Sequence, residues 1–468
     1  INALYIFYNR KYLSNSYSLV IFVAHLKKNM MKKLLSLLII LMIHFDSNSQ
    51  NVDFIEYDLD NGLHVILHQD KSVPLAVTSV MYHVGSKDDS PDRTGFAHFF
   101  EHLLFEGTEN IDRGQFMKIV ESNGGSLNAY TSNDETYYFE FFPSNKLELG
   151  LWLESERMLH PVIDEIGVQT QNEVVKEEKR SNYDNRPYGQ LLPQITQSLF
   201  TKHPYRWLPI GSMEHLDAAT LDEFIAYNKK FYVPNNAVLV VAGNFEIDDV
   251  KKKISDYFGP IPRGEEVPRI NITEDPITAE IKKKFYDPNI QLPMGLVSYR
   301  IPSFKDRDAY VLDMISSILS GGKSSRLYKK MVDDKKVSVQ VQAVNLSFED
   351  YGIYVILSLP VGENTLQTLY DNIDEEIEKL KSDLISDREY EKLQNEFENS
   401  FISTNSSMSG IANSLASYYL LHDNVNLINE RLDIYKSITK EEIRDVANKY
   451  LNKDSRAVID YLPESSKQ

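Results

Sequence analysis

Residues 95–104 of the 468-residue chain read GFAHFFEHLL, which sets His98, Glu101 and His102 in the spacing H-x-x-E-H within an apolar stretch. The Phe, Ala and Leu around them predict a helix. On a helix, residues four apart stand one above the other, so both imidazoles point to one side and can bind a single ion. Glu101, three residues from His98 and one from His102, falls at the edge of that face, within reach of a water at the metal. The order is the reverse of the H-E-x-x-H zinc helix. Two histidines and a glutamate among Phe and Leu are costly to bury without a compensating charge, and zinc supplies that charge.

A hydrolytic zinc needs three protein ligands and one open position. The chain contains no cysteine, which removes thiolate ligands, disulfides and a thiol nucleophile together, so the third ligand must be His, Asp or Glu. Residues 169–179, QTQNEVVKEEK, predict a helix that offers Glu173, Glu177 and Glu178. Helical geometry is expected to place Val174, Val175 and Glu178 on one stripe and to turn Glu177 about 100° further round. Side-chain type and spacing leave the choice among these acids open.

The elements that must position these groups come in two sets. A domain prior of roughly 100 to 200 residues divides the chain into two or three domains, and its two halves end alike. Residues 220–244 and 439–463 each open with a capping box, Thr220 with Glu223 and Thr439 with Glu442, and pass from an amphipathic helix through a polar turn to an apolar strand. The halves also begin alike, with strands around 80–84 and 296–300 followed by helices expected over 95–106 and 308–319, stopped by Gly107 and Gly321. Residues 259–276 carry four prolines and mixed charge, the composition of a linker. Adjacent strand runs separated by long helical stretches make the class α+β, with a largely antiparallel sheet in each of two homologous domains. The longest helical pattern covers 364–400, with Ile373, Ile377 and Leu380 on one stripe and its acidic run expected on a solvated face.

Composition narrows the function. The 42% hydrophobic and 25% charged residues are those of a soluble globular protein, and the net charge of -18 argues against a nucleic-acid partner. Met31, Lys32 and Lys33, the apolar run 34–43 and the small residues 47–49 have the layout of a signal peptide, expected over 31–49. Ten apolar residues are too few to span a bilayer, so the mature form is expected to have no membrane span. Residues 1–30 are expected to be upstream translated sequence, the start lying at Met30 or Met31. The domains are then expected over 50–265, with the metal site, and 275–468, without one.

The HFFEH helix, Asn128-Ala129-Tyr130-Thr131, VVKEEKR, Asp184 to Gly189 and Pro209-Ile210-Gly211-Ser212 together resemble the pitrilysin/insulinase family. The nearest branch is similar to bacterial relatives of the mitochondrial processing peptidase β subunit. The likeness runs from about residue 52 to the C-terminus and is most specific in the first half. The resemblance implies a processing-peptidase-like metallohydrolase fold and zinc held by His98, His102 and Glu178, with Glu101 as general base. It also implies hydrolysis of peptides or unfolded segments, with a substrate-pairing edge strand at Asn128, Ala129 and Tyr130. Where the family often has a further acid, this chain has Gln171.

Family members place an Arg and a Tyr, about seven residues apart, in the far half. The matching positions here are Val332 and Val339, while Arg326 and Tyr328 stand two apart and are expected to be structural. The second half has Leu312, Ile315 and Ser316 where the repeat would put ligands, so one zinc per chain is expected. Three readings follow: a periplasmic zinc peptidase of a Gram-negative bacterium completed by a related partner subunit that supplies the Arg/Tyr pair, a peptidase complete as a homodimer, and a non-catalytic binding or structural subunit. The intact His98, Glu101 and His102 favour the first two.

Overall fold

The computed structural model describes residues 51–467. The segments 1–30 and 31–49, with the signal peptide expected there, lie outside the described residues.

In the first half, β1 (Ile55–Asp58), β2 (His64–Gln69), β3 (Leu75–Tyr82), β4 (Ser126–Thr131), β5 (Thr136–Pro143) and β6 (Ala237–Gly243) form a sheet in the order β1-β2-β6-β3-β5-β4. In the second, β7 (Ile281–Asp287), β8 (Met294–Pro302), β9 (Ser338–Ser347), β10 (Tyr351–Pro360) and β11 (Arg456–Pro463) take the order β7-β11-β8-β10-β9. Without β1 the two orders are the same. In each, the last strand in sequence runs parallel to the first (β2 with β6, β7 with β11), and every other pair is antiparallel. The protein is α+β, two related sheets packed with helices.

The principal helices of the first half are α1 (Phe96–Leu103), α2 (Leu147–Leu159), α3 (Glu165–Lys179), α4 (Leu191–Leu199) and α5 (Leu221–Phe231). Those of the second are α6 (Arg307–Ser320), α7 (Leu366–Ser382), α8 (Asp387–Thr404), α9 (Met408–His422) and α10 (Lys440–Tyr450). Central strands such as β6, AVLVVAG, are apolar throughout because both faces are covered. Ala237, Leu239 and Val241 of β6 face α1, α2 and α5, whereas Val238, Val240 and Ala242 face Ile411, Leu415 and Ala416 of α9, which belongs to the second half. The exchange is reciprocal, since Ile195 and Leu199 of α4 pack on Leu296, Ile459 and Tyr461 of the second sheet. Each half thus lends one helix to cover the other's sheet.

Both expected capping boxes form, at Thr220 with Glu223 and Thr439 with Glu442. The expected helix over 95–106 ends sooner, at Leu103. The pattern over 364–400 is two helices, because Ser386 and Glu389 form a new capping box that starts α8. Its acidic run is solvated only in part. Asp374 and Glu376 are buried and ion-paired, Asp374 with Arg456 and Lys453, Glu376 with Lys330 and Lys379, while Glu375 and Glu378 are exposed. Among the described residues, no helix is long and apolar enough to cross a membrane.

Candidate metal centre

α1 begins beside Gly95, whose backbone stands in the left-handed region (φ 102°) that favours glycine. A side chain at Gly211 would bring its Cβ to 2.4 Å from Gly95 Cα, so the loop 209–212 can lie backbone to backbone against the start of this helix. The free N–H groups there are served from a distance. Asp89 accepts from Gly95 N (2.8 Å) and Ala97 N (3.1 Å) and is itself held by the Tyr227 hydroxyl (2.9 Å). Tyr232 donates to Ala97 O (3.3 Å) and Tyr138 to Phe100 O (2.9 Å). Phe96, Phe99 and Phe100 pack on Phe224 of α5. The face left over carries His98, Glu101 and His102.

Glu178 of α3 meets that face. Its Oε2 lies 3.5 Å from His98 Nε2 and 3.2 Å from His102 Nε2. Among the described residues these three form the single cluster of His, Asp or Glu with ligand atoms mutually close enough to share an ion, all within 4.8 Å. Zinc bonds of about 2.0–2.1 Å in a tetrahedron set neighbouring donors roughly 3.3 Å apart, so both separations fit edges of a zinc coordination shell. The protonation states fit as well. Burial, with His102 beside it and Glu178 opposing, pushes His98 down to about 4, which leaves a neutral imidazole. Its Nδ1 is buried without a partner, leaving Nε2 as the atom it can offer. The His102 hydrogen bond holds the Glu178 carboxyl below its usual range despite partial burial.

Glu101 faces Thr131, the last residue of β4. Burial raises its carboxyl, Thr131 and His102 oppose that, and the Glu178 charge adds to it. The group accepts a proton only as the carboxylate, and the upward shift makes that carboxylate a stronger base than one in water. Asn128, Ala129 and Tyr130 lie on β4, which is the edge of its sheet and pairs only with β5. Tyr130 is anchored across to the second half, accepting from Asn413 of α9 at 2.8 Å.

The other acids of α3 turn away. Glu173 pairs with Lys176 and Glu177 with Arg180. The expected stripe is wrong in one place: Val175 is fully buried but Val174 is 44% exposed. The inward face is Val168, Gln171, Val175 and Glu178, the i, i+3, i+4 set, and Val174 lies one residue, about 100°, off it. In the second half, Leu312 and Ile315 of α6 are buried in the core and Ser316 donates to Leu312 O. Arg326 is bound to Glu389 (2.7 Å), Val332 packs against the second core, and Val339 is exposed on the edge strand β9.

The family model described as insulinase (peptidase family M16) matches residues 64–206, and the one described as peptidase M16 inactive domain matches 218–397. The chain belongs to the pitrilysin/insulinase family. Zinc protease PqqE of Helicobacter pylori is 29% identical over 443 residues, 92% of this chain and 98% of that protein. The crystal structure of a protease from Helicobacter pylori superposes with a TM-score of 0.84 at 28% identity, covering 88% of this chain and all of that one. The periplasmic protease PqqL from Escherichia coli shares the fold, with a TM-score of 0.76 at 18% identity over 88% of this chain and 48% of that one.

For a pitrilysin/insulinase relative, Gln171 is a departure, and the surroundings compensate for it. Gln171 donates to Glu106, just beyond α1. Glu106 is ion-paired with Arg113 (2.7 Å), and Arg113 reaches Asp164 (2.8 Å), the residue that caps α3. This chain of contacts ties α3 to the segment that follows α1. Neither it nor the Asp89–Tyr227 bond was found from the sequence. Asp89 lies six residues before Gly95, at which the helix starts, outside any capping spacing, and Tyr227 lies 138 residues beyond Asp89.

Proposed function

We propose that the chain is an exported zinc metalloendopeptidase that hydrolyses peptides or unfolded polypeptide segments. The convergence of His98 Nε2, His102 Nε2 and Glu178 Oε2 beside the raised carboxyl of Glu101 carries this reading. One zinc per chain, when bound, supplies a Lewis acid that polarises the scissile carbonyl and acidifies water. Glu101 takes the proton of the attacking water and passes it to the leaving amine. The free edge of β4, at Asn128, Ala129 and Tyr130, offers backbone N–H and C=O groups to an extended peptide, a mode of binding indifferent to most side chains. The Lys-flanked apolar run at 34–43 and the periplasmic relative support export to the periplasm.

Glu101→Gln tests the chemistry. It should keep its zinc and lose cleavage by about 10²–10⁴-fold, because an amide cannot accept the proton. Turnover near wild type in that variant, with metal bound, would remove Glu101 from the mechanism.

The second half offers Val332 and Val339 where the resemblance calls for an Arg and a Tyr. We therefore assign this chain as the zinc-bearing subunit of a heterodimer whose partner, a related chain, brings that pair. Copurification from the native periplasm followed by a peptidase assay decides between this and a homodimer. A chain that purifies alone, as monomer or homodimer, and cleaves as fast as the native preparation rules out the heterodimer.

A further inference from the structure

Behind α1, on the side away from His98 and His102, lies a group of charged side chains that hydrolysis does not use. Arg157 of α2 is wholly buried, its guanidinium 4.4 Å from the ring centroids of Phe105, Phe116 and Tyr138. Its donors go three ways: Nη2 to Glu140 Oε1 of β5 (3.0 Å), Nε to Glu154 Oε1 on its own helix (3.2 Å), and Nη1 to Leu104 O (3.3 Å). Leu104 caps the C-terminal end of α1, one residue past Leu103. Tyr138, stacked against the same guanidinium, holds Phe100 O in the same last turn.

The charges do not balance as written. Glu140, Glu154 and Arg157 are all shut off from water, and two carboxylates against one guanidinium would leave a bare negative charge that an interior does not tolerate. The unpaired atoms indicate how this is relieved. Glu140 Oε2 and Glu154 Oε2 are each buried without a donor. Burial and the neighbouring Glu154 hold the Glu140 carboxyl well above the usual range, and the hydroxyls of Tyr82 and Tyr138, which also face the group, are kept protonated by burial.

We propose that Arg157 is a positioning residue for the hydrolytic site: one proton shared by Glu140 and Glu154 makes the three side chains neutral together, and Arg157 then fixes the final turn of α1, where Glu101 and His102 stand. The inference rests on the zinc-peptidase reading above for its effect on turnover, but the shared proton does not. Arginine suits the task because its planar fork serves three acceptors at fixed angles, which a lysine ammonium on a flexible stem does not.

Arg157→Lys keeps the charge and loses the fork. With zinc bound it should lower kcat by about 10- to 100-fold while KM and zinc content stay near wild type, and the visible spectrum of its cobalt-substituted form should change. Glu140→Gln puts an amide donor where the shared proton was and should leave kcat within about threefold. In metal-free wild-type protein at neutral pH, infrared spectroscopy should detect a protonated carboxyl that Glu140→Gln lacks, and this arm stands whether or not the protein proves to be a zinc peptidase. Wild-type kcat and an unchanged cobalt spectrum in Arg157→Lys overturn the positioning role, and a missing carboxyl band overturns the shared proton. If Arg157→Lys does not fold, the alkaline limb of kcat decides: wild type should lose kcat where the shared proton leaves, and Glu140→Gln, with no such proton, should lack that limb. The same limb in both proteins overturns the proposal.

Discussion

α1 and α6 hold the same place in two sheets of one topology, each following the strand that pairs with the closing strand, yet only α1 carries the His, Glu and His of the proposed metal site. At the ligand spacing α6 has Leu312, Ile315 and Ser316, two fully buried hydrophobic residues and a serine bonded to its own helix. α1 has His98, Glu101 and His102, and around it stand Asp89, Tyr227, Tyr232, Tyr138 and Arg157, each bonded to a backbone group of the helix or to a residue that is. α6 is held mainly by packing along its inward face, with bonds from other elements beside it: Asn345 donates to Ala309 O and to Asp313, Tyr435 donates to Asp313, and Ser320 bonds to the backbone of Ala343. The difference is one of degree: polar residues turned toward a site forgo hydrophobic contacts, so directional bonds from other elements hold α1 at both ends of the helix, whereas α6 relies chiefly on its buried apolar face.

The largest effect expected from this contrast lies at the ligands. Loss of a supporting partner costs a metal site about 10–100-fold in affinity, so loss of a ligand should exceed about 100-fold. His98→Ala, His102→Ala and Glu178→Gln should each weaken zinc binding by more than that in a chelator competition, whereas Glu177→Gln, exposed and paired with Arg180, should bind as wild type. Equal losses in the two glutamate variants would undo the assignment of Glu178.

In the other half the same kind of substitution should act on stability and leave the metal alone. Leu312→Ala removes a fully buried side chain from the second core and should destabilise the protein by about 2–5 kcal/mol. Zinc affinity should not change. A denaturant titration with parallel zinc measurements checks both, and loss of zinc in this variant would mean that the halves are not energetically distinct.

The smallest expected effect concerns two histidines, one in each half. Burial pushes both His98 and His422 down to about 4, with His102 adding to the shift in the first and Arg431 and Lys305 in the second. Each takes up a proton more readily unfolded than folded between about 6.5 and 4, so its contribution is fully present above about 6.5 and is lost as pH falls through that window. His422→Phe should remove about 1–2 kcal/mol of this acid sensitivity, after discounting for its partial exposure, and by the same amount with or without zinc. Zinc should steepen the remainder, because His98 must stay unprotonated to bind it. Thermal unfolding from pH 4 to 7, with and without metal, reads both, and a zinc-dependent effect of His422→Phe would contradict the division between halves.

The features that the sequence revealed are those set by local spacing. His98, Glu101 and His102 lie within one and a half turns, and Thr220 with Glu223 and Thr439 with Glu442 within four residues, so helix geometry alone relates them. The inward stripe of α3 was misread at Val174 because apolar character was followed instead of the i, i+3, i+4 set, which Gln171 occupies as a polar member. Asp374 and Glu376 were misread as solvated because Arg456, Lys330 and Lys453, which neutralise them, lie far along the chain or in another element. Arg157 and Asp89 escaped for the same reason, and so did the exchange of α4 and α9 between the sheets. Contacts that depend on how remote segments meet leave no periodic mark.

Removing the zinc proposed at His98, His102 and Glu178 is the most direct test of the peptidase reading. Purified mature protein should contain about one zinc per chain, lose peptide cleavage when a chelator strips the zinc, and regain it when zinc is restored. Cleavage that persists in protein shown to be free of metal would contradict zinc-dependent hydrolysis at this site.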